Sequence, residues 1–212
     1  MTLIETKPVR SARKAKGDGH LRRAEILRAA ETIFLRDGYQ GATIRKIADE
    51  VGVSSTALYM HFRDKDEILL EIAENAVTAL LTSNTEIASR PLDAVTRVRL
   101  MLTAYMQFAL DNPNAYRLVY CSGPDEIPGA KQEQLTEISA RCYERFHDTV
   151  AEIEGEGRLR PGTTALAAHL LWSACHGLVA LRICRPNVVE WEDNEVLMSS
   201  MLSSVFGGLL IQ

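Results

Sequence analysis

The chain has 212 residues, 46% of them hydrophobic and 25% charged, with a formal net charge of −4, enough apolar material for a sizeable core without disulfides or a structural metal. Its four cysteines, Cys121, Cys142, Cys175 and Cys184, form no C-x-x-C pair and no zinc-spaced set with histidine, so they read as reduced, mostly buried thiols of a cytoplasmic protein with no metal and no cofactor. The net charge excludes nucleic acid only if it is uniform, and it is not: residues 1–65 carry thirteen Lys/Arg against eight Asp/Glu, a net of +5, while residues 66–212 carry eleven against twenty, a net of −9.

In chain order, residues 1–17 are polar and basic, with Lys7, Arg10, Arg13, Lys14 and Lys16 and no apolar period. They read as a disordered arm, serving either solubility or contact with DNA phosphates or a minor groove. No apolar run with a cleavage site follows Met1, so no secretory signal is expected. From Leu21 the pattern is helical: Ile26, Leu27, Ala30, Ile33 and Phe34 recur at three- and four-residue steps. Gly38 is positioned as a left-handed helix stop. Thr43 is placed to cap a short second helix with Ile44, Ile47, Ala48 and Val51 on one face, ended by Gly52. Ser54 then caps a third helix containing Leu58 and Phe62. Asp64 with Glu67 predicts a capping box opening a long fourth helix to about Ser89.

Further helices are predicted at about 92–110, with Pro91 near its start, from Pro113 to Tyr120, and, after a loop at 122–129, to about Glu154. Gly155 and Gly157 break that helix. The last two helices lie at about 163–184 and 192–210. Pro161–Leu181 and Val196–Gln212 nearly lack charge, but polar and small residues interrupt both, so they read as helices buried in protein and not as membrane spans. With no strand run, the expected fold is all-α with about nine helices. An arm (1–17), a three-helix DNA-binding domain (18–65) and a helical domain (66–212) divide the chain.

The segment from Ala42 to Leu70 carries the most information. Two short helices crossing steeply need a small residue at their contact, here Ala48, and a glycine tolerant of positive φ in the turn, here Gly52. They also need apolar residues to close a shared core, here Ile44, Ile47, Val51, Val53 and Leu58. Such a helix-turn-helix is a DNA-reading device. The surrounding residues resemble the TetR (AcrR-like) family: Phe34-x-x-x-Gly38-Tyr39, Thr43-x-Arg45-x-Ile47-Ala48, Gly52-Val53-Ser54, and Leu58-Tyr59-Met60-His61-Phe62-x-x-Lys65-x-x-Ile68-Leu69. Met60 and Thr56 depart from residues common in that family, which changes the surface that reads DNA. The third helix would enter the major groove by its N-terminal end, setting Ser54, Ser55, Thr56 and Ala57 against base edges. The resemblance implies Thr43, Arg45, Met60 and His61 as further contacts. Tyr59 is either a phosphate contact or a packing aromatic, and Lys65 either a phosphate contact beside the fourth helix or a solvated charge.

The second domain shows no Gly-rich phosphate loop, no G-x-S-x-G and no H-E-x-x-H, so no enzyme is expected. Trp172-x-x-x-His176-Gly177 resembles the C-terminal domain of one branch of TetR-like regulators. His176 is either a core histidine packed on Trp172 or the edge of an effector cavity. The resemblance implies a pocket for a small hydrophobic or aromatic effector, with Met101, Tyr105, Phe108, Tyr116, Tyr120, Phe146, Trp172 and His176 as candidates. It also implies a homodimer through the last two helices, with Leu178, Leu181, Val196, Met201, Leu202, Val205 and Leu209 as interface candidates. The partners expected are thus double-stranded DNA with a pseudo-palindromic operator, a second copy of the chain and a small-molecule effector, without a membrane. The leading reading is a ligand-released repressor. The alternatives are an architectural or partner-platform protein of the same fold without ligand release, and a small helical enzyme carrying an incidental helix-turn-helix.

Overall fold

The structure, a computed structural model, describes residues 19–121 and 129–211. The predicted arm lies outside the described residues, as does all of the predicted loop except Gly129. Among the described residues there are nine α-helices and no strand: α1 (Gly19–Gly41), α2 (Ile44–Val51), α3 (Ser55–Tyr59), α4 (Lys65–Ala88), α5 (Ala94–Asp111), α6 (Pro113–Cys121), α7 (Gly129–Gly155), α8 (Thr164–Cys184) and α9 (Asn194–Leu209). The described residues divide into two compact units, the first ending at Ile72 and the second beginning at Ala73. The division falls within α4, after Ile72 and not after Lys65, because Ile68, Leu69, Leu70 and Ile72 are buried with the N-terminal core.

In the N-terminal unit, α1 buries Ile26, Ala30, Ile33 and Phe34 along one face. Gly38 interrupts it at φ 71°, ψ 165°, a conformation open mainly to glycine. The ψ differs from that of a left-handed stop, and the chain makes one more turn, closed by the Ala42 N–H donating to the Gly38 carbonyl at 3.1 Å. Two polar clusters fasten this small unit. Arg23 donates its Nε to both Glu71 carboxylate oxygens (2.9 and 3.0 Å), donates to the His61 carbonyl at 2.5 Å, and lies over the Phe62 ring. Lys46 donates to Asp37 at 2.6 Å and to the Gly41 carbonyl at 2.8 Å, tying α2 to α1. Arg36 and Lys46 together hold the Asp37 carboxyl down at about 2.

The capping box at α4 forms with a shift. The Glu67 N–H donates to Asp64 as expected (2.8 Å), but the Glu67 carboxylate accepts from the Arg63 N–H at 2.6 Å, one residue beyond the usual partner.

In the C-terminal unit α5 is central, packing against α6, α7, α8 and α9. It begins at Ala94, later than predicted, because Asp93 caps it by accepting from the Thr96 N–H (3.1 Å) while residues 90–92 form a turn. Two glutamates at the end of α7 cap other helices. Glu154 accepts from the N–H groups of Gly162 (2.7 Å) and Thr164 (3.1 Å) at the start of α8, and Glu156 accepts from Ala94 (3.2 Å) at the start of α5. Their carboxylates complement the positive ends of those helices. Cys142 and Cys175 are buried, as expected of the thiols, but Cys121 and Cys184 are exposed.

Candidate functional site

The crossing of α2 and α3 is built as the sequence requires. Ile47, Ala48 and Leu58 are fully buried, and Ile44, Val51 and Val53 are half-buried around them. Gly52 ends α2 at φ 75°, ψ 34°. A side chain there would meet nothing within 4 Å, so its positive φ, and not space, demands glycine. The Val53 N–H returns to the Ala48 carbonyl at 2.9 Å and fixes the turn.

The outward surface gathers most of the predicted contacts. Thr56, Ala57, Tyr59 and Met60 are exposed, Tyr59 by 56% and Met60 by 82%, so Tyr59 is not a packing aromatic. Arg45 is exposed and reaches Asp49 only at 4.0 Å, a loose pair that a phosphate can displace. Ser54 and Thr43 have structural duties as well: each hydroxyl caps a helix, accepting from Ala57 at 3.1 Å and from Lys46 at 3.2 Å. Ser55 and His61 are half-buried. Lys65 is not simply solvated. Its ammonium donates to the Tyr39 carbonyl at 3.0 Å and lies 4.2 Å from that ring's centroid, which leaves two further N–H groups.

The C-terminal unit holds a cavity of about 430 Å³ walled by α4, α5, α6, α7 and α8. Met101, Tyr105, Tyr120, Phe146 and Trp172 line it. Phe108, Tyr116 and His176 do not. Phe108 and Tyr116 are buried in the surrounding core, and His176 sits behind Tyr105. Asn84, Ser139, Tyr143 and His169 join the wall without having been anticipated. Asn84 had a signal in the sequence: it falls in register with Val77, Leu80 and Ile87, a polar residue on an otherwise apolar face.

His176 joins a polar cluster. Its Nδ1 lies 2.9 Å from the Tyr105 hydroxyl and 3.0 Å from that of Tyr116, and the Tyr120 ring meets it edge-on. Nδ1 has one in-plane site, which the two hydroxyls share, and the two phenols also hydrogen-bond each other. Burial raises both phenols, lifts Tyr120 to about 12 and holds the imidazole below its ordinary 6.5. The folded protein therefore resists a proton that the unfolded chain accepts. The contribution of His176 to stability is complete above pH 6.5 and falls as pH drops below it, levelling off below the folded-state value. Denaturant unfolding at about pH 7.5 and 5.5 should show a larger acid loss of stability for the wild type than for His176→Gln.

On α8, Leu166, Leu170, Ser173, Gly177 and Leu181 are exposed at helical spacing, and on α9 so are Val196, Ser200, Ser203 and Gly207. Of the predicted interface residues, Leu181 and Val196 lie on these faces. Leu178, Met201, Val205 and Leu209 are half-buried against the core, and Leu202 is fully inside it, so Leu202 does not face a partner. The α8 helix is also long and apolar enough to cross a membrane by length and composition, with leucines on its exposed face as well as its buried one.

A helix-turn-helix presenting exposed Arg45, Thr56, Ala57 and Tyr59, joined to a helical unit with a cavity, defines a DNA-binding regulator. Residues 26–72 match the family described as bacterial regulatory proteins, tetR family, and residues 98–203 match the tetracyclin repressor-like C-terminal domain. The chain belongs to the TetR family, whose members bind DNA and dimerise and are not enzymes. It is 32% identical over 146 residues to the nucleoid occlusion factor SlmA of Alteromonas mediterranea, covering 69% of this chain and 73% of that one. It is 27% identical over 162 residues to the HTH-type transcriptional activator FasR of Mycolicibacterium smegmatis, covering 76% and 69%. The fold matches a TetR/AcrR-family regulator from Thermobifida fusca with TM-score 0.74 at 21% identity, covering 88% of this chain and 97% of the other.

Proposed function

We propose that the chain is a sequence-specific repressor that binds a pseudo-palindromic operator as a homodimer and is released by a small hydrophobic or aromatic effector. The observation that carries the ligand response is the cavity, large enough for a small molecule and walled by Met101, Tyr105, Tyr120, Phe146 and Trp172. The helix α4 contributes Leu80 and Asn84 to that wall and carries Lys65 in its first turn. An effector that favours one placement of α4 would shift the dimer toward a form whose recognition helices misfit the operator. On DNA, Ser55, Thr56 and Ala57 would read base edges, while Arg45, Tyr59, His61 and Lys65 would hold phosphates. Such a regulator works beside the chromosome, in the bacterial cytoplasm.

A second reading has a specific observation behind it. The similarity to a nucleoid occlusion factor favours a DNA-bound platform for a protein partner, with no ligand release. One experiment separates the two. Purified protein is titrated against the DNA upstream of its own coding region and against a scrambled duplex across a salt series, with Tyr59→Ala alongside. The repressor reading expects sequence-dependent binding, lost by about tenfold or more in Tyr59→Ala, and dissociation when an effector is added. Equal, weak binding to both duplexes counts against an operator at that place. Tight binding that no cavity-filling compound disturbs favours the platform.

A further inference from the structure

The cavity in the C-terminal unit is not a uniformly greasy space. Asn84 is only 4% exposed, lies in the wall, and its Oδ1 has no hydrogen-bond partner. Across from α4, on α7, the Tyr143 hydroxyl is likewise buried and unpartnered in the same wall. A buried polar atom without a partner is costly, and with Ser139 Oγ, also buried and unpartnered on a residue of that wall, three such atoms among the described residues bear on what an occupant must offer. Oδ1 of a carboxamide is an acceptor only, so it asks for a donor. A phenol or serine hydroxyl both gives and takes, and is met by a donor or an acceptor.

Among the described residues the wall contains no Lys, Arg, Asp or Glu, and its one ionisable base is the exposed His169. A ligand charge taken inside would lose its hydration without a counter-charge. The rest of the surface is aromatic and aliphatic, including Met101, Phe146 and Trp172. An occupant that suits this wall is neutral, mostly apolar and carries a hydrogen-bond donor.

We infer that this cavity takes a neutral, apolar alcohol or phenol whose hydroxyl donates to Asn84. A hydroxyl meets both demands, donating to Asn84 and accepting from Tyr143, whether on one group or two. An ether or ester meets only the second, and a hydrocarbon meets neither. A carboxylate finds no Lys or Arg among the described wall residues. This assignment rests on the reading of the cavity as the effector site and narrows it to a chemical class.

Equilibrium dialysis of the full chain against four compounds of one shape tests it: 2-naphthol, 2-methoxynaphthalene, naphthalene and 2-naphthoate. The expected result is 2-naphthol bound about tenfold more tightly than 2-methoxynaphthalene, with 2-naphthoate weakest. In Asn84→Leu, close to isosteric and apolar, the preference of 2-naphthol over its methyl ether should collapse. The Tm of that variant without ligand should not fall, because the substitution removes an unpaired carbonyl. Tyr143→Phe gives a second line of evidence, weakening 2-naphthol and 2-methoxynaphthalene relative to naphthalene. Binding of none of the four, equal binding of 2-naphthol and naphthalene, preference for 2-naphthoate, or an unchanged preference in Asn84→Leu would each overturn the assignment. Operator release is measured separately. If 2-naphthol binds in the expected rank and the DNA complex is unmoved, the ligand class stands and the release mechanism falls.

Discussion

Leu58→Ala is expected to abolish operator binding while leaving the C-terminal unit folded. Leu58 is fully buried and is the only buried residue of α3, a helix of five residues. So short a helix has almost no stability of its own and is held by what it packs against. Here that is Ile47 and Ala48 of α2, with Phe62 just beyond its end. Truncating a buried leucine costs about 3–5 kcal/mol through lost transfer energy and the cavity left behind. A domain as small as the N-terminal unit has a total stability of about the same size. The helix carrying Ser55, Thr56, Ala57 and Tyr59 would then no longer present a fixed surface. The chain supplies its own control: both tryptophans, Trp172 and Trp191, belong to the C-terminal unit. Tryptophan emission should stay at its wild-type wavelength while far-UV helicity drops and DNA binding disappears. Retention of wild-type affinity would show that α3 is not the element that reads DNA.

Much of this architecture was legible because local rules and tertiary packing agree in it. The caps Thr43 and Ser54, the glycine at 52 and the apolar steps of α1 and α2 each act within a few residues, and each holds in the structure. What escaped detection acts over long separations. The EGEG run after Ile153 reads only as a break between helices, yet Glu154 and Glu156 cap α8 and α5. Arg23 reads as one basic residue among several, yet it joins α1 to Glu71 and to the end of the helix-turn-helix. The aromatic residues of the second domain could not be sorted by periodicity. Tyr105 and Tyr116 both reach the imidazole of His176, but only Tyr105 also faces the cavity. That distinction depends on which side of a packed ring borders open space, and helical spacing does not encode it. Leu202 shows the same limit: α9 is apolar nearly all round, so the sequence could not tell its inward face from its outward one.

That outward face carries the second large expected effect. Leu181→Glu combined with Val196→Glu should convert the dimer to a monomer and weaken operator binding by about a hundredfold or more. Leu166, Leu170 and Leu181 are 57%, 46% and 52% exposed on one face of α8, and Val196 is 53% exposed on α9. A water-exposed apolar stripe of this kind is where a partner copy is expected to pack. On α9 it continues through Ser200, Ser203 and Gly207, small enough for a partner helix to approach closely. Burying a glutamate at each position, repeated by the two-fold, sets unpaired like charges in the interface. The protomer itself should fold normally, since substitutions at exposed positions cost within about 0.5 kcal/mol. The loss of DNA affinity follows from geometry. Two linked recognition helices reach half-sites about 34–36 Å apart, or a multiple of that spacing, and the second engages at the high effective concentration the dimer provides, an advantage of about 10²–10⁴. Sedimentation gives the oligomeric state and a titration on the operator gives the affinity. Leu202→Ala is the contrasting variant. Buried within the protomer, it should lower stability by about 2–5 kcal/mol without dissociating the folded dimer. A dimer that survives the two glutamates but is lost in Leu202→Ala would place the interface on a different face of α9.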